Sequence, residues 1–260
     1  MRLIQGLKDI PVFSPSKWPH REGLSRCVAL LIITCFFVIK LVKFDQFPQT
    51  WSAAALFYGT FKTAAVPIFS HSAIATIWGC KLTVWIIETG ILAGYMAAYF
   101  SRAKALSIAN GFMETAFPII VAGIPVLISL SPYTLPQWAP FNSPNHVYVY
   151  LAVMGLLITG GLINLIGLLT MRRAFTIMTE ARVLVTNGIF SSIRHPLYSG
   201  HFIMFLGSLL LRLNFYTIAM YFLFVVGQVI RARMEERKLM QAFPDFTIYK
   251  KQTGMFWPKL

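Results

Sequence analysis

Residues 147 to 169 read VYVYLAVMGLLITGGLINLIGLL, an apolar run with no charged residue in it. About 20 such residues, wound as a helix, cross the hydrocarbon core of a bilayer. That run places the chain in lipid, and the composition agrees. Of 260 residues, 57% are hydrophobic and 12% are charged, whereas a soluble domain carries about a quarter charged residues.

Further apolar runs cover 27–42, 52–69, 72–100, 115–130 and 196–230. The 52–69 run contains Lys62 and Pro67, and the 115–130 run is interrupted by Pro118 and Pro125. The last run is too long for one crossing and carries Arg212 and Asn214 near its middle. A charge at the bilayer centre costs roughly 2.5–3.5 kcal/mol, so a break there is favoured over a straight helix. The spacing predicts a helical hairpin with arms 196–211 and 215–230 and the Arg-Leu-Asn triplet at its tip. The expected fold class is all-α: a polytopic integral membrane helical bundle of about five to seven membrane segments, with a C-terminal hairpin. Residues 1–146 form N-terminal helices of unassigned role, and 147–260 form the core that carries the motifs.

The formal charge is +14. In a membrane chain such an excess collects in cytoplasmic loops beside anionic lipid heads. No RNA-binding aromatic motif and no zinc-ligand spacing accompanies it, so nucleic acid is not an expected partner and no metal site is expected. Loop 131–146 has no Lys or Arg, while 170–195 carries Arg172, Arg173, Arg182 and Arg194, and the segment from 231 is again basic. Both basic segments are therefore expected on the cytoplasmic side. The basic N-terminal residues prefer that side too, which conflicts with five full crossings before residue 170. Cys27, Cys35 and Cys80 lie in or beside apolar runs and read as small hydrophobes. No cleaved signal peptide and no lipidation box is expected; Leu3, Ile4, Leu7 and Ile10 share one face of a short interfacial helix. Lys81 and Glu88 read as snorkelling or helix-bonding groups. Gly90 and Gly94, with Gly155, Gly160, Gly161 and Gly167, read as close helix contacts.

Against this background the stretch LVTNGIFSSIRHPLYSG, residues 184–200, is unusually polar for a point of membrane entry. Asn187-Gly188 signals a turn. Pro196 turns His195 away from the helical region and suits the first helical position. Free amides at such a start, with Arg194 and His195 beside them, form a seat for a carboxylate or phosphate. Tyr198 and His201 follow on one face. Farther on, Gln228, Arg231 and Glu235 share a face that runs from the apolar arm out to its polar end. If 196–230 folds back, that face returns beside Arg194, His195 and Tyr198. The alternative for each cluster taken alone is a basic juxtamembrane loop and an ordinary i,i+4 ion pair.

The wording RRAFTIMTEARVLVTNGIF, RHPLYSG and RARMEERKLMQAFPDFTIYKK, over about 170–260, resembles the isoprenylcysteine carboxyl methyltransferase family, its bacterial members above all, and the related phospholipid methyltransferases. The resemblance implies a methyl donor, S-adenosylmethionine, bound at the cytoplasmic face by Arg182, Val183, Leu184, Val185, Phe190, His195, Pro196, Leu197, Tyr198 and Glu235. It implies that Arg231, with Arg194, orients a lipophilic or small acceptor drawn from among membrane lipids: a carboxylate, thiol or amine. It implies an integral, multi-pass protein of a bacterial inner membrane, or of the endoplasmic reticulum in a eukaryote. Phe190 stands where relatives often carry Tyr, and His201 where many bacterial relatives carry Glu. An Arg-His-x-x-Tyr pattern also occurs in NADPH-dependent membrane sterol and steroid reductases, but Leu197, Ser199 and His201 depart from theirs. A non-catalytic transporter or channel would find support in Lys62, Lys81, Glu88 and Asn164 within spans.

Overall fold

The computed structural model describes residues 71–131 and 146–259, together with Leu30, Leu31, Ile33, Thr34 and Val38. The expectations for Leu3 to Ile10, for the rest of the 27–42 run, for 52–69 with Lys62, and for the Lys81 side chain lie outside the described residues. Within them the chain is helical: α1 (His71–Ser101), α2 (Gly111–Leu130), α3 (His146–Met171), α4 (Pro196–Leu211), α5 (Phe215–Ala242) and the short α6 (Phe246–Gln252). Among the described residues four helices are long and apolar enough to cross a membrane: Leu82–Ser101, Gly111–Ile128, Tyr148–Ala174 and Phe215–Ala242. The chain is a polytopic helical membrane protein.

The 196–230 run does fold back. Arg212 ends α4, and Asn214 begins α5 with a reciprocal cap: its Oδ1 accepts from Thr217 N at 2.9 Å while Thr217 Oγ1 accepts from Asn214 N at 3.1 Å. The polar tip is not left to the lipid. Arg212 Nε donates to Ser131 O at 3.1 Å and Asn214 Nδ2 to Ser131 Oγ at 2.9 Å, so the end of α2 receives it. With 16 residues, α4 is about 24 Å long, shorter than a full crossing of about 30 Å. The second arm is longer than the sequence suggests: α5 continues past 230 to Ala242 without a break.

Proline does not interrupt α2. The helix starts at Gly111, ahead of the expected 115, and runs through Pro118 and Pro125. Pro118 has no amide to give to the carbonyl of Glu114. That carbonyl instead accepts from Thr179 N at 2.9 Å, which ties α2 to the segment after α3.

Glycine sets the closest packing. A Cβ on Gly160 of α3 would lie 2.4 Å from Met204 N, and one on Gly200 of α4 would lie 2.7 Å from Gly160 O. These two helices touch backbone to backbone, an approach that small residues permit. On the α1 side, a Cβ at Gly94 would meet Leu168 at 2.7 Å and one at Gly161 would meet Ile87 at 2.6 Å. Gly155 departs from expectation: nothing lies within 4 Å of its would-be Cβ, and it faces outward. The two arms of the hairpin touch each other sparingly, because α4 packs chiefly on α3 and α5 chiefly on α2. Ile33, Ala98, Tyr99, Leu168, Phe175, Phe190, Leu197, Tyr198 and Ala232 form one buried cluster. It lies at the end of the bundle where the basic loop 172–195 and the far part of α5 meet.

Candidate functional site

Pro196 is the first residue of α4, as its fixed φ favours. The amides near it are less available than the sequence suggests. Tyr198 N and Ser199 N both donate to His195 O, while Arg194 N and His195 N donate to Gly254 O and Met255 O. The segment after α6 runs alongside 192–195 and takes up those donors. Side chains, not a row of free amides, therefore give this turn its polar character.

The side chains converge. The Tyr198 hydroxyl donates to Glu235 Oε1 across the hairpin. His195 stacks on Tyr198 with ring centroids 5.4 Å apart and planes 2° from parallel. Its Nδ1 stands 3.7 Å from Glu235 Oε2 and its Nε2 3.5 Å from Glu236 Oε1, both too long for good hydrogen bonds. Arg231 lies over the Tyr198 ring at 5.2 Å, a cation–π contact. It donates to Gln228 Oε1 at 3.0 Å and to Ile177 O at 2.9 Å, and its Nη2 is 3.8 Å from Glu235 Oε1. The buried Arg231 Nε has no hydrogen-bond partner among the described residues. The Glu235 side chain keeps 20% of its surface exposed, so a ligand can reach it.

The other residues singled out from sequence are placed differently. Arg194 is engaged inside the protein: Nε to Glu236 Oε1 at 2.6 Å, and Nη1 to Lys250 O at 3.0 Å and to Thr253 O. The Arg182 side chain is fully buried against Glu180 Oε2 at 2.6 Å and also donates to Ala103 O. It braces the segment whose Ala181 pairs with Ser107. Val183 is exposed, Leu184 half-buried, and Val185 packs on the main cluster. Phe190 is buried, and its carbonyl accepts from Tyr249 Oη at 2.6 Å. Pro196 and Leu197 press on Gly167 of α3.

Sequence reasoning passed over Glu236, which is buried and binds Arg194, with Lys250 Nζ at 2.8 Å from its other oxygen. The doubled Glu in MEER was the available signal. It also passed over Tyr95, whose hydroxyl reaches His201 Nε2 at 3.2 Å, and Lys238, which binds Glu114 at 2.5 Å and the carbonyls of Ile108 and Thr179. Nothing local in the sequence distinguishes either from an ordinary membrane tyrosine or surface lysine. Outside the membrane segments, burial pushes the Tyr249 hydroxyl up to about 12, an effect that the nearby Arg194 charge partly opposes.

A helical membrane bundle with a buried cluster of Tyr, His, Arg and Glu at one end defines a class of polytopic membrane protein with a polar site. Residues 150–241 match the model of the Isoprenylcysteine carboxyl methyltransferase (ICMT) family, and this segment, from the first turns of α3 to the end of α5, belongs to that family. A segment of this family implies a membrane methyltransferase. The match begins earlier than the 170 expected from the motifs and ends before the FPDFTIYKK wording. No curated protein matches the chain.

Proposed function

We propose that this protein transfers a methyl group from S-adenosylmethionine to a lipophilic or small acceptor, with the donor held at the basic, cytoplasmic end by His195, Tyr198 and Glu235. The observation that carries the reading is the Tyr198–Glu235 hydrogen bond beneath the Arg231 guanidinium. It joins the two motifs that the family resemblance associates with donor and acceptor.

The residues present suit such a donor. It bears two positive groups, at the sulfonium and the amine, and one carboxylate. Glu235 is partly exposed and would pair with those cations, while the unpartnered Arg231 Nε would be available to an anion or a polar head. The stacked rings of His195 and Tyr198, next to Glu235, would supply apolar surface of the kind that a nucleoside needs. The donor supplies a methyl that is already activated, so the chain has little acid–base work to do before transfer. Its main contributions are to align acceptor and methyl and to keep water out. Arg231, fixed by Gln228 and Ile177 O, orients the acceptor side. Arg194 acts through Glu236 to hold the turn that presents His195. The acceptor enters from the bilayer, and the water-soluble donor from the cytoplasm of, in this reading, a bacterial inner membrane.

Isothermal titration of the purified protein with S-adenosylmethionine tests this directly. Glu235→Ala should abolish measurable binding; undiminished binding would reject the role given to Glu235. Heat protection by S-adenosylmethionine and not by NADPH is the companion result, and the reverse would favour a reductase.

A further inference from the structure

The family match ends at residue 241, yet the chain returns to the site beyond it. After α6, residues 253–256 run parallel to 192–195. Gly254 N donates to Ser192 O at 3.1 Å, Arg194 N to Gly254 O at 2.9 Å and His195 N to Met255 O at 3.0 Å. Ser199 Oγ donates to Phe256 O, and Arg194 Nη1 to Thr253 O. Thr253 is buried, and its Oγ1 donates to Tyr249 O at 2.8 Å. Gly254 permits the tight path, because a Cβ there would collide with Trp257 O. This strap is thus fastened to residues on both sides of Pro196.

The strap carries an aromatic ring to the site. Phe256 meets the His195 ring at 6.0 Å, tilted by 46°, and the Phe202 ring of α4 edge-on at 5.2 Å. His195 in turn stacks on Tyr198, whose hydroxyl binds Glu235. No good hydrogen bond fixes the imidazole. Its Nε2 is buried without a partner among the described residues, and its Nδ1 stands 3.7 Å from Glu235 Oε2. The plane of the ring is therefore set by packing, and among the described residues its aromatic neighbours are Tyr198 and Phe256. Phe202 and the Ser199–Phe256 bond hold Phe256 in its turn.

We propose that residues 253–256 are part of the donor site, and that Phe256 is a positioning residue that holds the His195 ring flat on Tyr198 and so sets the apolar surface receiving the nucleoside of S-adenosylmethionine. This rests on the methyltransferase reading above and deepens it. The strap's main-chain bonds fasten it without the phenyl ring, so that ring is free to serve His195. The strap also turns Phe256 inward, half-buried, and leaves the larger Trp257 exposed. Burial of apolar area alone would favour the indole. A strap that shapes the site is linked to its ligand: if the donor binds better with the strap docked, the bound donor holds the strap down by the same factor. A strap that only steadied the fold would lack a linkage that runs through the Phe256 ring.

The test uses the purified full chain in lipid nanodiscs, titrated by calorimetry with S-adenosylmethionine and with S-adenosylhomocysteine. Phe256→Leu keeps apolar bulk and removes the flat ring. Affinity should fall about 5- to 10-fold for both ligands, which share the nucleoside, with an unfolding midpoint close to the parent's. Phe256→Tyr keeps the ring and should bind within about twofold of the parent. In the parent, saturating S-adenosylmethionine should slow thermolysin cleavage within 253–257, read by intact mass, several-fold. In Phe256→Leu the slowing at saturation should be smaller. Parental affinity in Phe256→Leu, a loss in Phe256→Tyr as large as in Phe256→Leu, or strap cleavage in the parent indifferent to bound donor would each overturn the proposal. The cleavage measurement on the parent needs no variant, so it decides even where Phe256→Leu fails to fold. Absence of donor binding by the parent would remove the methyltransferase reading and this proposal together. Binding by the parent with an unaffected Phe256→Leu would remove this proposal alone.

Discussion

The Tyr198 hydroxyl donates to the Glu235 carboxylate although the two residues lie 37 positions apart on separate arms of the hairpin. Arg231 covers the Tyr198 ring from one side and His195 stacks against it. The bond thus fixes the angle at which the acid meets the turn before α4. Tyr198→Phe keeps both ring contacts and removes the bond alone. A hydrogen bond to a charged group contributes about 1.5–3 kcal/mol, part of which Glu235 recovers from water. We expect S-adenosylmethionine affinity to fall about 10-fold by calorimetry. Affinity unchanged within error would show that the bond does not organise the site.

The Arg194–Glu236 pair should matter for stability. Both side chains are nearly buried, and Arg194 also holds the carbonyls of Lys250 and Thr253. Removing one partner of a buried pair costs about 3–5 kcal/mol when the other charge is left alone; Lys250 stays with Glu236, so the loss here falls below that range and comes mainly from the carbonyls that Arg194 holds. Arg194→Ala should therefore lower the midpoint of thermal unfolding in detergent below that of the unmutated protein. It should also expose residues 253–259 to proteolysis. A variant as stable and as resistant as the parent would contradict this.

Glycines on α3 should differ sharply. At Gly160 an added methyl collides with the backbone of α4, so Gly160→Ala should destabilise by about 1–3 kcal/mol or more. At Gly155 the methyl meets nothing, and alanine should be neutral or stabilising by up to about 1 kcal/mol. Measuring both unfolding midpoints in one detergent checks the pair. Equal effects would mean that the α3–α4 contact is not as close as described.

Tyr249 links stability to alkaline pH. Its hydroxyl, buried and donating to Phe190 O, titrates near 12, above the ordinary 10.0. The folded state thus prefers the protonated phenol. The stability it contributes is fully present below pH 10 and is lost as pH rises from 10 through about 12. The difference in unfolding free energy between the parent and Tyr249→Phe should therefore shrink over that interval. A difference independent of pH would count against the burial of this hydroxyl.

Much of the architecture was legible because lipid imposes it on local sequence. The clean run at 147–169, the charge at Arg212 that forces a break, and Pro196 as a helix start each carry their meaning within a few residues. The stripe Gln228, Arg231 and Glu235 could be read as one face from spacing alone. Less was legible where a residue's part depends on what another helix presents. Pro118 sits inside α2 because Thr179 supplies the amide that the freed carbonyl needs, and no window around Pro118 contains that information.

Sequence by itself determined that this chain is a membrane-embedded helical bundle, that its last long apolar segment turns back, and that its polar residues gather at one end. These follow from hydrophobic length, the cost of charge in lipid and the 3.6-residue repeat. Tertiary structure alone decided which polar groups meet. It gave Arg194 to Glu236 and to the C-terminal segment, and Arg182 to Glu180. It left Arg231 with Tyr198 and Glu235, and placed His201 against Tyr95. The physical reason is that a buried charge takes whichever partner the packing brings within about 3 Å. That packing is set by glycine contacts and helix neighbours far apart along the chain.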